Sequence, residues 1–423
     1  MKKIINAAQP ALRRALALAA AAALLLGSLA ALTACGASEG TDRVYIYNLG
    51  EYLADGSEGI FDCISGFEEY YEELTGRGLK VYYTTFDSNE DLYAKISSGA
   101  SGYDVIVPSD YMVARLIAED LLLPIDLEAT CEKYGAECYY DNIGPEFRGM
   151  YYDPEDEYSV PYTYGRVGII YNTNYVNEED LGGWDILWNE KYAGKILQFN
   201  SSRDGFGTVQ YMLGIDVNTT DPADWELCLE KLLEQKPLIQ GYVNDEVYNK
   251  MESGEAWIAP YYAGDYLFML DVNEDLGFYY PEPTNIFVDT MCVPKGAPNR
   301  EIGELFINYM LSEEPAVASA EFVKYASPNT VVRESEEYAE ELGEEAMEIL
   351  YPEDFDMQGE IQANAYRNLD PETLELLSSL WEELKISGGM PSHVYIIAAA
   401  LAVLIAAAIA FGVIKRRRRS KWW

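Results

Sequence analysis

Acids, hydroxyls and aromatic rings recur in short clusters along the chain: Glu51 and Tyr52, Ser109 and Tyr111, Asp204, Tyr262 and Asp265, Phe287 and Asp289. No basic partner is expected among them. Unpaired carboxylates in a partly buried cleft are costly, so several together ask for a cation. Aromatic faces attract ammonium groups by about 0.5–2 kcal/mol and cover methylene chains. The ligand this chemistry describes is a flexible apolar chain with ammonium groups at its ends. Taken singly, each residue has a plainer reading: Tyr52, Tyr111 and Phe287 as core side chains, Asp204 and Asp289 as helix caps, Ser109 as the N-cap that follows Pro108. The joint pattern raises the binding reading above these.

Such clusters need a scaffold to bring them together. "VYIYN", "CISGFEEYYEELTG", "LKVYYTTF", "SNEDLYAKISSG" and "YDVIVPSDYM" alternate strand-like and helix-like patterns. A βαβαβ order favours a mainly parallel sheet with helices on both faces. Ligands of open α/β sheets sit outside the carboxyl ends of the strands, which makes residues 48–52 and 108–111 neighbours at one rim. Asn48 and Gly50 supply the turn that ends the first strand. In "YSVPYTYGRVGIIYN", Pro161 and Gly165 punctuate two strand-like runs, and the stretch reads as a crossing into a second lobe. "WDILWNEKYAGKILQFNSSRDGFG" opens that lobe's own α/β pattern, "AWIAPYYAGDY" runs a strand into an acid, and "NIFVDTMCVP" is a strand that crosses back.

The two ends are of another kind. Lys2, Lys3, Arg13 and Arg14 precede an Ala and Leu run and then "LTAC", the layout of a secretory signal with a lipobox, in which Cys35 would be acylated. Residues 394–414 carry no charge. At ~1.5 Å per residue they span about 30 Å, as a transmembrane helix must. "KRRRR" follows and places that end in the cytoplasm, so residues 36–393 face outward. Ten of the 30 Lys and Arg lie in the two ends, which hold no acid, and the outward part keeps 20 bases against 71 acids, a net charge of −51. That field disfavours nucleic acid and attracts cations over ~8 to 10 Å. Most of these acids, as in "ESEEYAEELGEEAMEIL", read as solvated helix faces.

His393 is the single histidine, which excludes His-based triads and His-rich metal centres. No cofactor or metal is expected. Beyond Cys35 there are Cys63, Cys131, Cys138, Cys228 and Cys292, an odd number for a disulfide framework. Cys131 and Cys138 either bridge in an oxidising compartment or stay as buried thiols.

From Val44 to about Lys385 the chain resembles the spermidine/putrescine-binding proteins of polyamine ABC importers. The landmarks are "YNLGEY", "SNEDLYAKISSGASGYDVIVPSDYMV", "YSVPYTYG", "WDILWNEKYAGKI", "VDTMCVP", "YASPN" and "GEIQAN", in order. The resemblance implies an α/β, two-lobed type II periplasmic-binding-protein fold with a hinge. The two lobes it implies are lobe 1 (41–160 and 289–330) and lobe 2 (161–288 and 331–388), set between the signal with lipobox (1–35) and the membrane helix and basic tail (415–423) read from the residues, a membrane helix being unusual for a soluble binding protein. It also implies that Glu51, Tyr52, Ser109, Tyr111, Asp204, Tyr262, Asp289, Tyr325 and Gln362 meet the ligand, with Asp289 and Asp204 each taking an amine. Phe287 and Asp265 complete the set. The family commonly has Trp at the positions of Leu49, Tyr262 and Phe287, and Glu at that of Asp204. Ser201 stands where spermidine binders commonly have Asp, whereas "AGD" resembles putrescine-preferring relatives.

The function expected is that of a membrane-tethered, extracytoplasmic subunit binding putrescine or spermidine for an ABC permease and its ATPase. Its localisation would be the cell membrane, with no catalysis and no nucleic-acid partner. Two rivals are a polyamine sensor or surface interaction protein on the same fold, and a glycosidase, since paired carboxylates also make glycosidases.

Overall fold

Three strands from the first third of the chain lie parallel and deliver their carboxyl ends to one edge. The computed structural model describes residues 40–99, 102–353 and 355–387. β1 (Asp42–Leu49) pairs with β2 (Leu79–Phe86) on one side and β3 (Val105–Ile106) on the other. Val44, Ile46, Val105 and Ile106 are fully buried, and this apolar strip holds the three strands in register.

Seven further strands follow: β4 (Leu122–Leu123), β5 (Ser159–Asn172), β6 (Ile196–Phe199), β7 (Ile239–Val243), β8 (Ile258–Tyr262), β9 (Leu276–Tyr279) and β10 (Ile286–Pro294). The order across the sheet is β2-β1-β3-β10-β5-β8-β6-β7, with β4 against β10 and β9 against β5. Both flanks are parallel. The expected mainly parallel arrangement holds only there, because the centre, β3-β10-β5-β8, is antiparallel. The cause is connectivity: β5 leaves the first flank and β10 returns to it, so the two run in opposite directions.

β5 corrects a second expectation. Pro161 and Gly165 do not separate two runs but lie within one strand of 14 residues, nearly all of it buried. Its first half pairs with β10 and its second half with β8 and β9. Opposite β5, the register jumps between Asp289 and Thr290, so that Thr163 faces Asp289 and Pro161 faces Thr290, with Tyr162 left over. A bulge accommodates a proline that has no amide hydrogen to give.

A second cluster of buried side chains, including Phe206, Trp225, Leu232, Leu377 and Leu384, forms where helices Ser202–Leu213, Pro222–Gln235 and Pro371–Ile386 meet. Among the described residues no helix is long and apolar enough to cross a membrane. The expected span at 394–414, the signal, Cys35 and the basic tail lie outside the described residues. The five cysteines within them are free thiols, Cys131 and Cys138 included.

Candidate ligand-binding site

The strand ends, and the helix starts that follow them, enclose a cavity of about 580 Å³. β1 stops because the Asn48 side chain folds onto its own backbone, accepting from the Leu49 amide at 2.8 Å and donating to the Tyr52 carbonyl at 3.4 Å. Glu51, rather than Gly50 or Asn48, takes the left-handed conformation there, with φ 49°. Glu51 is thereby exposed while Tyr52 turns inward and is buried. After β2, Ser88 caps helix Asn89–Ser97 by accepting from the Asp91 amide. After β6, Ser201 caps helix Ser202–Leu213 by accepting from the Asp204 amide. β8 passes through Tyr262 directly into helix Ala263–Leu270. Helix N-termini favour negative charge, and the first turns of these helices carry Glu90, Asp204 and Asp265 at the cavity wall.

Glu51, Tyr52, Ser109, Tyr111, Asp204, Tyr262, Asp265, Phe287, Asp289 and Tyr325 all line this cavity. Gln362 does not. It lies in helix Met357–Asn364, whose buried positions are Met357 and Ile361, and one residue beyond Ile361 the side chain is about 100° round the helix and exposed. The same segment reaches the cavity through Tyr366 instead. Two of the plainer readings also change. Ser109 occupies an N-cap position but makes no capping bond: its hydroxyl accepts from Asn89 Nδ2 at 2.9 Å, and its amide donates to Asn89 Oδ1 at 3.0 Å. Asp289 caps no helix but sits within β10.

Asp289, 2% exposed, is the most enclosed of the expected acids. The Tyr52 hydroxyl donates to its Oδ2 at 2.5 Å and lies 2.7 Å from Thr163 Oγ1. Its Oδ1 has no hydrogen-bond partner among the described residues. Burial pushes its carboxyl up to about 6, against the opposing pull of the Ser109 and Tyr52 hydroxyls. Asp265 is also pushed up to about 6 by burial, but both its oxygens are taken, one by the Tyr248 hydroxyl and one by that of Tyr325. Burial raises Asp204 too, and the Tyr262 hydroxyl donates to its Oδ2 at 3.4 Å.

The rings form a continuous wall. Tyr262 meets Phe287 edge to face at 5.3 Å, Phe287 meets Tyr325 at 6.0 Å, and Tyr325 meets Tyr52 at 5.4 Å. Two glycines make room for them. A Cβ on Gly165 would come within 2.7 Å of the Phe287 ring, and one on Gly264 within 2.2 Å of the Tyr325 ring.

Four further acids line the cavity that sequence reasoning did not single out: Asp87, Glu90, Asp110 and Asp245. Glu90 accepts from the Tyr111 hydroxyl at 3.0 Å and is raised by burial. Burial raises Asp245, with the charges of Asp87 and Glu246 adding to it. Burial pushes Asp110 up to about 8. The available signal was the strand-end rule itself, since these residues follow the carboxyl ends of β2, β3 and β7. The expected absence of a base is overturned by Arg203, next to Asp204. Its guanidinium donates to the Val217 carbonyl at 2.9 Å and Asn218 Oδ1 at 3.0 Å while lying over the Tyr366 ring, and its charge opposes the upward shifts of Asp204 and Glu90. Among the described residues the lining therefore holds eight acids and one base.

Residues 68–343, more than half of the chain, match the family of bacterial extracellular solute-binding proteins. The spermidine/putrescine-binding periplasmic protein of Salmonella typhimurium is 30% identical over 318 residues, covering 75% of this chain and 84% of that protein. A Listeria monocytogenes structure, described as a candidate spermidine/putrescine ABC transporter, is 31% identical with a TM-score of 0.70, covering 82% of this chain and 99% of that one. The spermidine/putrescine ABC transporter substrate-binding protein PotD of Streptococcus pneumoniae is 32% identical with a TM-score of 0.63, at the same coverages. These relatives are substrate-binding proteins and not enzymes, which sets aside the glycosidase reading of the paired acids. With its mixed α/β sheet matching type II solute-binding proteins and its acidic, ring-lined cavity, the chain belongs to the bacterial extracellular solute-binding protein family.

Proposed function

We propose that this chain is the extracytoplasmic, membrane-tethered subunit of a polyamine ABC importer, binding putrescine or spermidine and passing it to a permease with its ATPase subunits. The observation that carries the reading is the lining: among the described residues, eight acids interleaved with rings, against a single arginine. A ligand with several positive charges and an apolar body suits those walls. The names of the relatives point the same way.

In this reading Asp289 takes one ammonium, and Asp204, facing Glu90, takes another. Tyr52, Tyr111, Tyr262, Phe287 and Tyr325 cover the methylenes, Ser109 and Asp265 hold their neighbours in place, and Glu51 sits at the mouth. The lobes comprise 41–160 with 289–330 and 161–288 with 331–388, and they close about the crossing of β5 and β10, a motion of the hinge type. Cys35 and residues 394–414 tether the protein at the cell membrane.

Two experiments test the reading together. Uptake of labelled putrescine and spermidine should fall in cells lacking this protein, whereas normal uptake with intact binding would favour a sensor. Fractionation should find the protein in membranes, and release it only when Cys35→Ser is combined with removal of residues 391–423.

A further inference from the structure

Asp110 is the first residue of helix Asp110–Ala118 and is 1% exposed, although none of the roles above uses it. The residue before it, Ser109, forms an isolated antiparallel bridge with Asp289, and the Thr290 amide donates to the Pro108 carbonyl at 3.0 Å. The start of this helix is thus stitched to β10 at the point where Asp289 lies. Asp110 Oδ1 accepts from the Tyr111 amide at 2.7 Å, while its Oδ2 is buried with no hydrogen-bond partner among the described residues. Asp289 repeats the pattern, with Oδ2 held by Tyr52 and Oδ1 unpartnered. Both residues line the cavity.

We propose that Asp110 and Asp289 together form one two-carboxylate seat for a primary ammonium of the ligand, whose arrival releases a proton to solvent. The proposal rests on the polyamine reading above and deepens it. An ammonium offers three N–H donors and no acceptor, which suits two carboxylates that line one cavity and each keep one oxygen without a hydrogen-bond partner among the described residues. The displaced proton passes to solvent, so that one positive charge replaces another.

Among the described residues no ion pair is made by either acid, and the one cation whose charge opposes the upward shift of Asp110 is Arg367. Tyr151, Tyr152 and Tyr211 surround Asp110, Tyr52 faces Asp289, and all four are neutral hydroxyls whose ionisation burial disfavours. Arg367 is the cation on Asp110's side. Its guanidinium lies 3.4 Å from the centre of the Tyr151 ring and donates to the Ile361 and Gln362 carbonyls, each at 3.2 Å. Burial raises both acids, and the charge of Asp289 raises Asp110 further. Asp110 thus keeps its proton near neutrality, held mainly by burial, with the charge of Asp289 adding to it.

The test is calorimetric titration of the full chain in detergent with putrescine, in buffers of different ionisation enthalpy and at several pH values from 6 to 8. Wild type should release close to one proton per putrescine at pH 7, and its affinity should climb with pH, approaching tenfold per unit for one linked proton. Asp110→Asn, which keeps the side-chain shape, should bind with an affinity nearly flat over this range and release little. Wild type that binds putrescine with the same heat in every buffer overturns the seat and leaves polyamine binding intact, as does an Asp110→Asn protein with an unchanged pH profile. Wild type that binds no polyamine overturns the broader reading instead. The proton count on wild type decides the matter even where the variant fails to fold.

Discussion

The hydroxyl of Tyr52 and the carboxylate of Asp289 meet at 2.5 Å, joining residues 237 positions apart in the chain. Tyr52 follows β1, Asp289 lies in β10, and Thr163 of β5 completes the group. The floor of the cavity is therefore made where the outgoing and returning central strands meet the first parallel flank. Tyr52→Phe removes a donor from a buried carboxylate, an interaction of about 1.5–3 kcal/mol. Polyamine binding should weaken by about tenfold or more, and urea unfolding should show a loss of stability of the same order. Equal affinity in this variant would show that Tyr52 does not orient Asp289 for the ligand.

Gly264 sets the Tyr325 ring, and Gly264→Ala should dislodge it. The added methyl would lie 2.2 Å from a ring carbon, so the ring must move, breaking the Tyr325 bond to Asp265 and its edge contact with Phe287. Overpacking of this kind costs about 1–3 kcal/mol. Tyr325→Ala alone should cost about 3–5 kcal/mol, and combining it with Gly264→Ala should cost less than the sum of the two, because the added methyl then meets no ring. Unfolding of the two single variants and the double variant checks this.

Much of this arrangement is legible in the residues themselves. The alternation in "VYIYN" and "YDVIVPSDYM" marks strands that end at one rim, which brings Tyr52 and Tyr111 to one cavity. What local pattern could not supply was the direction of β10, because antiparallel return depends on how the whole chain is connected. Pro161 misled for a related reason: a proline reads as a break, but a bulge opposite Asp289 and Thr290 removes the need for its amide. In sequence, Asp110 between Ser109 and Tyr111 is an acid in the first turn of a helix, which has an ordinary role there. Only tertiary packing reveals that one of its oxygens is left unpartnered.

Stability of the ligand-free protein should fall as pH rises from about 5 to about 8. Asp289 and Asp265 are pushed up to about 6 and Asp110 up to about 8 from an ordinary 3.8, so the folded chain binds more protons than the unfolded one across this window. Stability then declines with pH until all three are ionised. A saturating polyamine favours the ionised acids and should flatten the decline. Thermal unfolding at fixed ionic strength, with and without putrescine, measures both slopes. A ligand-free protein that gains stability over this range would contradict the assignment.

Ser201→Asp should shift selectivity toward the longer triamine while leaving the fold intact. Ser201 caps helix Ser202–Leu213, and Asp caps equally well, so stability should change by no more than about 0.5 kcal/mol. The new acid adds a charge to the wall near Asp204 that a third amine can meet. Combining it with Asp265→Ser should raise the spermidine-to-putrescine affinity ratio further, but that second change strands the Tyr248 and Tyr325 hydroxyls, which makes the single variant the cleaner comparison. Titration with each polyamine gives the ratio, and an unchanged ratio would assign the preference to the rings.

The most direct measurement is calorimetric titration of the full chain in detergent with putrescine, spermidine and spermine, beside the same titration of Asp289→Asn. The account predicts saturable binding of at least one of the three by wild type. Removing one partner of a buried charge pair costs about 3–5 kcal/mol, so Asp289→Asn should bind at least about a hundredfold more weakly. Failure of wild type to bind any of them, or equal binding by Asp289→Asn, would contradict it.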